Sequence, residues 1–228
     1  MGSQVTTFAL NRIVLLVLLD LERREDSACV SVVGSKAKRA VHVRRGHVVG
    51  ADSNLKAERL GDMLVGEGLL DPVLLEPVAA EGMRQKRLLG DQLVIDGLMT
   101  AGELGHALER QVALRTGSIL SMRGEVTVEE PRTLLPVSDV PVTVAVVTAF
   151  RTTVPLGAIE AQLAEPADAE TPLQPADDLL HLELGPAELR LARRLTGGET
   201  LDSLLESGAP RERVLRLAGA LRAVGLWR

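Results

Sequence analysis

The chain has 228 residues, room for one or two domains, and 46% of them are apolar, enough to bury a core. Phe8, Phe150 and Trp227 are its only aromatic residues, which excludes a surface that stacks bases or sugars on rows of rings. With 26 Lys plus Arg against 31 Asp plus Glu, the net charge is −5, and nothing in this balance points to DNA or to an anionic membrane.

The single cysteine, Cys29, excludes an internal disulfide and a Cys-rich zinc cluster, and suits a reducing compartment. Apolar residues at helical spacing predict one buried helix over 5–24, ending in the charged run 22–26. Its purely apolar stretch, Ile13 to Leu19, is bounded by Arg12 and Asp20. That is far short of the roughly 20 residues a membrane span needs, and no small-residue cleavage site follows, so a cytoplasmic protein without a leader is expected.

Residues 29–33 and 40–43 alternate in the manner of strands, with 34–39 as a hairpin loop between them. Arg44-Arg45-Gly46 reads as a tight turn into His47-Val-Val-Gly50, so 28–51 is expected to be a three-stranded meander.

From 59 to 111 the text repeats. Residues 59–82 align on 88–111 at an offset of 29, with 8 identities in 24. Each copy reads as a short helix, a glycine stop at Gly68 or Gly97, an apolar pair and a capped second helix. The expected caps are Asp71 before Pro72, and Thr100 with Glu103 as a capping box. Pro77 is expected to kink the second helix of copy one.

Beyond the repeat, Ile119–Met122 and Val126–Val128 read as strands around a turn at Gly124, able to add a hairpin to the meander. Over 140–159, helix and strand periods fit equally. Residues 160–183 carry seven acids, no Lys or Arg, and Pro166, Pro172 and Pro175, the composition of a linker. Residues 186–228 read as three helices punctuated by Pro186, Gly197-Gly198, Gly208 and Pro210.

No pattern of catalysis emerges. Cys29 sits in an alternating strand, where core packing outweighs a nucleophile's role. The four histidines have no metal-ligand spacing, and GxSxG, GxxxxGK[ST] and the dinucleotide fingerprint are all missing. The expectation is a protein without enzyme activity and without a cofactor.

The repeat carries the specific signal, and it supports two readings. In one it is scaffold: two helical hairpins whose Leu and Val side chains are core. In the other it binds a ligand. Gly61 and Gly90 sit in the first turn of their helices, where a missing side chain permits close approach, and Arg59 and Arg87 stand beside them to meet phosphate.

In its residues, 59–111 resembles the tandem motif of the amino-terminal domain of type II secretion and MshE-type pilus ATPases. The matching residues are Arg59-Leu60-Gly61, the aliphatic pairs and glycine that follow, the five-residue spacer 83–87, and Leu104, Leu108 and Gln111. Copy two has Leu88 where the pattern has Arg, with Arg87 one place earlier, and copy one has Ala79 and Gly82 in place of Leu and Gln. The resemblance implies binding of cyclic di-GMP by Arg59, Leu60, Gly61, Arg87, Leu89 and Gly90. A more diffuse similarity, through 43–52, the LGDxLVxxGL pair and Gly124-Glu125, is to bacterial proteins with a PatA-type amino-terminal domain. That group implies regulatory or adaptor work beside motility, polarity and two-component systems, with another signalling or motility protein as partner.

The segment 186–228 holds eight Arg and five acids, and its pattern resembles a winged-helix or helix-turn-helix unit. As a DNA reader, its recognition helix would be 210–224, with Arg211, Arg213, Arg216 and Arg222. Glu212 interrupts that row, and a solvated face on a helical interaction domain is the favoured alternative. The sequence therefore predicts an α+β protein. A regulatory domain over 1–160, with its repeats at 59–82 and 88–111, precedes a linker over 161–183 and a helical tail over 184–228. In that domain a small antiparallel sheet packs against the first helix and the tandem hairpins.

Overall fold

In a computed structural model, which describes residues 10–133, 135–166 and 176–227, the protein is α+β. In chain order its elements are α1 (Arg12–Arg23), β1 (Ala28–Val33), β2 (Lys38–Arg44), β3 (His47–Ser53), a 3-10 turn (Lys56–Glu58), α2 (Leu60–Gly66), α3 (Pro72–Arg84), α4 (Leu89–Ile95) and α5 (Ala101–Leu120). There follow β4 (Glu125–Glu129), β5 (Val140–Pro141), α6 (Val142–Thr152), α7 (Leu156–Ala164), a 3-10 segment (Ala176–Leu182), α8 (Pro186–Thr196), α9 (Leu201–Glu206) and α10 (Arg211–Ala223).

The sheet is antiparallel throughout, in the order β4-β1-β2-β3-β5. Arg45 and Gly46, with φ of 49° and 75°, form the tight β2–β3 turn that the sequence predicts. A bulge at His42/Val43 shifts the β2–β3 register, so Val48 and Ala51, three residues apart, both reach the core. The helix expected over 5–24 starts at Arg12, where Asn11 caps it by accepting from Val14 N–H; its expected first turns, 5–9, lie outside the described residues.

One strand expectation is corrected. Ile119 and Leu120 end α5 instead of forming a strand, and Met122 follows in the connection. The helix that starts at the Thr100 capping box continues because Val112 and Ile119, seven residues apart, bury the same stripe. Val126–Val128 is strand as expected, but it pairs with β1 alone. The ambiguous stretch resolves as a two-residue strand and two helices, since Val142, Val146, Ala149 and Phe150 recur at helical spacing against the core.

The expected tail does not have a core of its own. Its three helices form where punctuation placed them, but Ala192, Leu195, Leu204, Leu217 and Leu221 join one buried cluster with α1, the sheet, α6 and α7. The expected linker is likewise only partly a connector. It begins within α7, and its last part holds Leu179 and Leu182 in the same cluster; residues 167–175 lie outside the described residues.

The tandem repeat builds a second, smaller core from Met63, Leu64, Leu70, Val78, Leu93, Met99 and Ala107. The sheet meets the repeat through α5. That helix gives Leu104 and Ala107 to the small core and Val112, Ile119 and Leu120 to the large one.

No single helix among the described residues is long and apolar enough to cross a membrane. The pair α6–α7 reaches that length and composition only jointly, across a 110° bend, and most of its apolar side chains are core.

Candidate functional site

The sequence repeat is also a repeat of local geometry. Helices α2 and α4 each end in the same Schellman motif. Leu69 N–H bonds to Leu64 C=O at 2.8 Å and Gly68 N–H to Val65 C=O at 3.0 Å; in copy two Leu98 bonds to Leu93 at 3.0 Å and Gly97 to Val94 at 3.1 Å. Gly68 and Gly97 carry the left-handed φ this needs, 71° and 69°. Asp71 caps α3 by accepting from Val73 N–H, and the Thr100–Glu103 capping box is present at α5. Helix α3 runs through Pro77 as one element.

Gly61 and Gly90 are both buried, and each is approached by the leucine fourteen residues later. A Cβ on Gly61 would overlap Leu75 Cδ1 and lie 2.9 Å from Leu89 Cδ2. A Cβ on Gly90 would lie 2.9 Å from Leu104 Cδ1. The close approach that these glycines permit is thus made by the fold's own leucines. Gly105, half-buried on α5, has nothing within 4 Å of the corresponding position. Gly61→Ala is therefore expected to lower stability by about 1–3 kcal/mol through overpacking. Gly105→Ala is expected to raise it by up to about 1 kcal/mol through helix propensity. Urea unfolding of the two variants checks the opposite signs.

Arg59 and Arg87 are exposed, and neither side chain has a hydrogen-bond or ion-pair partner among the described residues. Leu60 and Leu89 are half-buried beside them. Leu88 is 71% exposed. Both α2 and α4 have only seven residues, about two turns, so their dipoles add little to anion binding.

A polar clamp fixes the repeat to the sheet. Arg39 Nε on β2 lies 3.1 Å from each carboxylate oxygen of the buried Glu58, and Nη2 also bonds to Oε1. Burial raises the Glu58 pKa, but hydrogen bonds from Arg39 and Ser53 and the Arg39 and Arg115 charges outweigh it and hold the group below the ordinary glutamate range. The Glu58 carbonyl accepts from Gln111 Nε2 at 2.9 Å and from Arg115 Nη2 at 2.7 Å. The last residue of the tandem motif, Gln111, thus closes onto the residue just before its first, Arg59. At the matching place in copy one a Cβ on Gly82 would sit 3.3 Å from the Arg87 carbonyl.

The sheet register sets Cys29 opposite His42, and Asp52 Oδ2 lies 2.9 Å from His42 Nε2, so three residue types of a thiol hydrolase share one face. They are not wired as one. His42 Nδ1 is buried without a partner, and burial pushes the fully covered Cys29 thiol up, away from thiolate. Thiol labelling of the native protein by Ellman's reagent is expected to be at least about a hundredfold slower than in denaturant, because it waits for opening of the sheet. Among the described residues, no group of three or more His, Cys, Asp or Glu is placed to hold a metal ion.

The arginines of α10 are used by the fold. Arg216 Nη1 donates to the carbonyls of Phe150 and Val154 at 3.0 and 2.9 Å, capping the end of α6. Arg222 donates to the Leu163 and Glu165 carbonyls behind α7, and Arg211 pairs with Glu160 at 3.2 Å. Arg213 is exposed. From Val214 to Ala223 almost every residue of α10 is buried, so the helix has no free face to lay in a major groove. This corrects the recognition-helix reading.

Of thirteen large apolar side chains exposed among the described residues, seven fall within 69–98: Leu69, Val73, Leu74, Met83, Leu88, Ile95 and Leu98. Leu69 and Leu98 occupy the same place in the two copies, just past the glycine stop. Sequence reading missed these side chains as a surface, because periodicity assigned the Leu and Val positions of the repeat to core. Comparison of the chain with protein-family models, with curated proteins and with solved structures gives no match.

Proposed function

We propose that the chain is a non-catalytic regulatory adaptor whose tandem repeat is its binding module. The concentration of exposed leucine, valine, isoleucine and methionine on 69–98 carries this reading, since exposed apolar side chains gathered on one module are what a contact surface uses. The repeat has its own core, and α5 and the Arg39–Glu58 clamp join it to the sheet, so a load on the repeat reaches the rest of the fold through both. Its partner is read as another signalling or motility protein. Capture of such a partner from the source cell is expected to be lost in a Val73→Asp/Leu98→Asp variant and kept in Arg213→Ala. Equal capture by both would overturn the reading.

A second reading, cyclic di-GMP binding by the same module, is favoured by one observation: the unpartnered, exposed Arg59 and Arg87 flank the starts of the two copies beside Leu60 and Leu89. A bidentate Arg–phosphate contact is worth about 1.5–3 kcal/mol, so Arg59→Ala would weaken binding roughly ten- to a hundredfold. Calorimetry with cyclic di-GMP tests it. No heat at tens of micromolar, or equal affinity in Arg59→Ala, removes the ligand and leaves the adaptor.

A further inference from the structure

The sheet has two edges, and they are not alike. At one, β5 is a two-residue strand. At the other, β4 offers five residues, Glu125-Val-Thr-Val-Glu129, paired through β1 on one side only. No backbone hydrogen bond reaches its outer side among the described residues. An edge of this length has no proline, lysine or bulge to guard it, and its charged side chains are two glutamates, which repel like charge and leave it open to a basic strand.

The register fixes what faces what. Val126 and Val128 share the core face with Val32 and Val30, while Glu125, Thr127 and Glu129 share the opposite face with Val33, Ser31 and Cys29. Thr127 is tied to Ser31, its hydroxyl 2.7 Å from the serine hydroxyl. Val128 is 53% exposed and Val126 half-buried, so the core's apolar surface continues to the edge and is unfinished there. Glu129 pairs with Arg132 at 3.0 Å in solvent, and Glu125 has no ion-pair partner among the described residues.

We propose that the outer edge of β4 binds an extended peptide as a sixth strand, and that the peptide it selects alternates basic and apolar residues. An added strand places its alternate side chains opposite Glu125 and Glu129 on one face and opposite Val126 and Val128 on the other. Lys or Arg at the first and fifth positions and Val or Ile at the second and fourth satisfy both faces. A second copy of this chain does not. Self-pairing of β4 sets glutamate against glutamate in the antiparallel and in the parallel register alike, and like charges opposite one another are destabilising. This site is separate from the tandem repeat and stands whether or not the repeat binds anything.

The test uses the full chain and a fluorescein-labelled peptide containing Lys-Val-Thr-Val-Lys, read by anisotropy. Glu125→Lys/Glu129→Lys, both exposed, is expected to keep the far-UV spectrum and to weaken this peptide by about tenfold or more, while gaining a Glu-Val-Thr-Val-Glu peptide. Two further peptides carry backbone N-methyl groups on one or the other set of alternate residues. Strand addition requires that one of them loses binding and the other keeps it. Equal binding by both would show a purely electrostatic contact and overturn the proposal, as would an affinity unmoved by charge reversal. Sedimentation is expected to show no β4-dependent dimer; one abolished by the peptide would overturn the choice of partner.

Discussion

Glu58→Ala is expected to destabilise the protein by about 3–5 kcal/mol, because it leaves the Arg39 guanidinium in a largely covered position without its counter-charge. Denaturant unfolding would show the midpoint fall with little change in slope. Restoring complementarity without charge, as Arg39→Met/Glu58→Leu, is expected to recover most of that loss, since well-packed apolar pairs replace buried ion pairs at little cost. The pH dependence follows from the same contact. The folded protein holds the Glu58 pKa below its ordinary 4.5, so the ion pair's contribution is complete above that value. It is lost as pH falls through the lower folded value. Glu58→Gln is thus expected to be less stable than wild type at neutral pH, with a gap that narrows on acidification below about 4.5. A gap that stays constant to pH 2 would show that charge is not what the clamp uses.

The second large effect concerns the carboxy-terminal helices. Leu221, fully buried on α10, belongs to the cluster that contains Phe150, Leu18 and Val30. Leu221→Ala is expected to cost about 2–5 kcal/mol. Because the core is shared, the loss is expected in one cooperative transition, with Trp227 fluorescence and far-UV circular dichroism moving together. A tail with its own core would instead separate the two probes, lowering the fluorescence transition alone. Close packing between the elements supports the single transition: a Cβ on Gly219 of α10 would lie 2.5 Å from Ile159 of α7.

Local chemistry was legible from the chain alone. The meander with its Arg45-Gly46 turn, the glycine stops at 68 and 97, the caps at Asp71 and Thr100 and the punctuation of the last three helices depend on backbone preference and on partners a few residues away, and all stand where the residues put them. The 29-residue repeat was legible for the same reason, since each copy specifies its own turns. Tertiary contacts decided what lay between elements. Ile119 and Leu120 suit strand or helix by pattern, and the burial of one stripe along α5 chose helix. Proline and acidic residues at 160–183 read as a linker, yet Leu179 and Leu182 dock in the core, which composition cannot reveal. The arginines of α10 read as a basic face, but the carbonyls they cap, at Phe150, Val154, Leu163 and Glu165, come from residues more than fifty positions away. At the candidate site the sequence named Gly61 and Gly90 for their openness. Only the packed structure shows that Leu75, Leu89 and Leu104 occupy that space, and that seven of the thirteen large apolar side chains exposed among the described residues lie within 69–98.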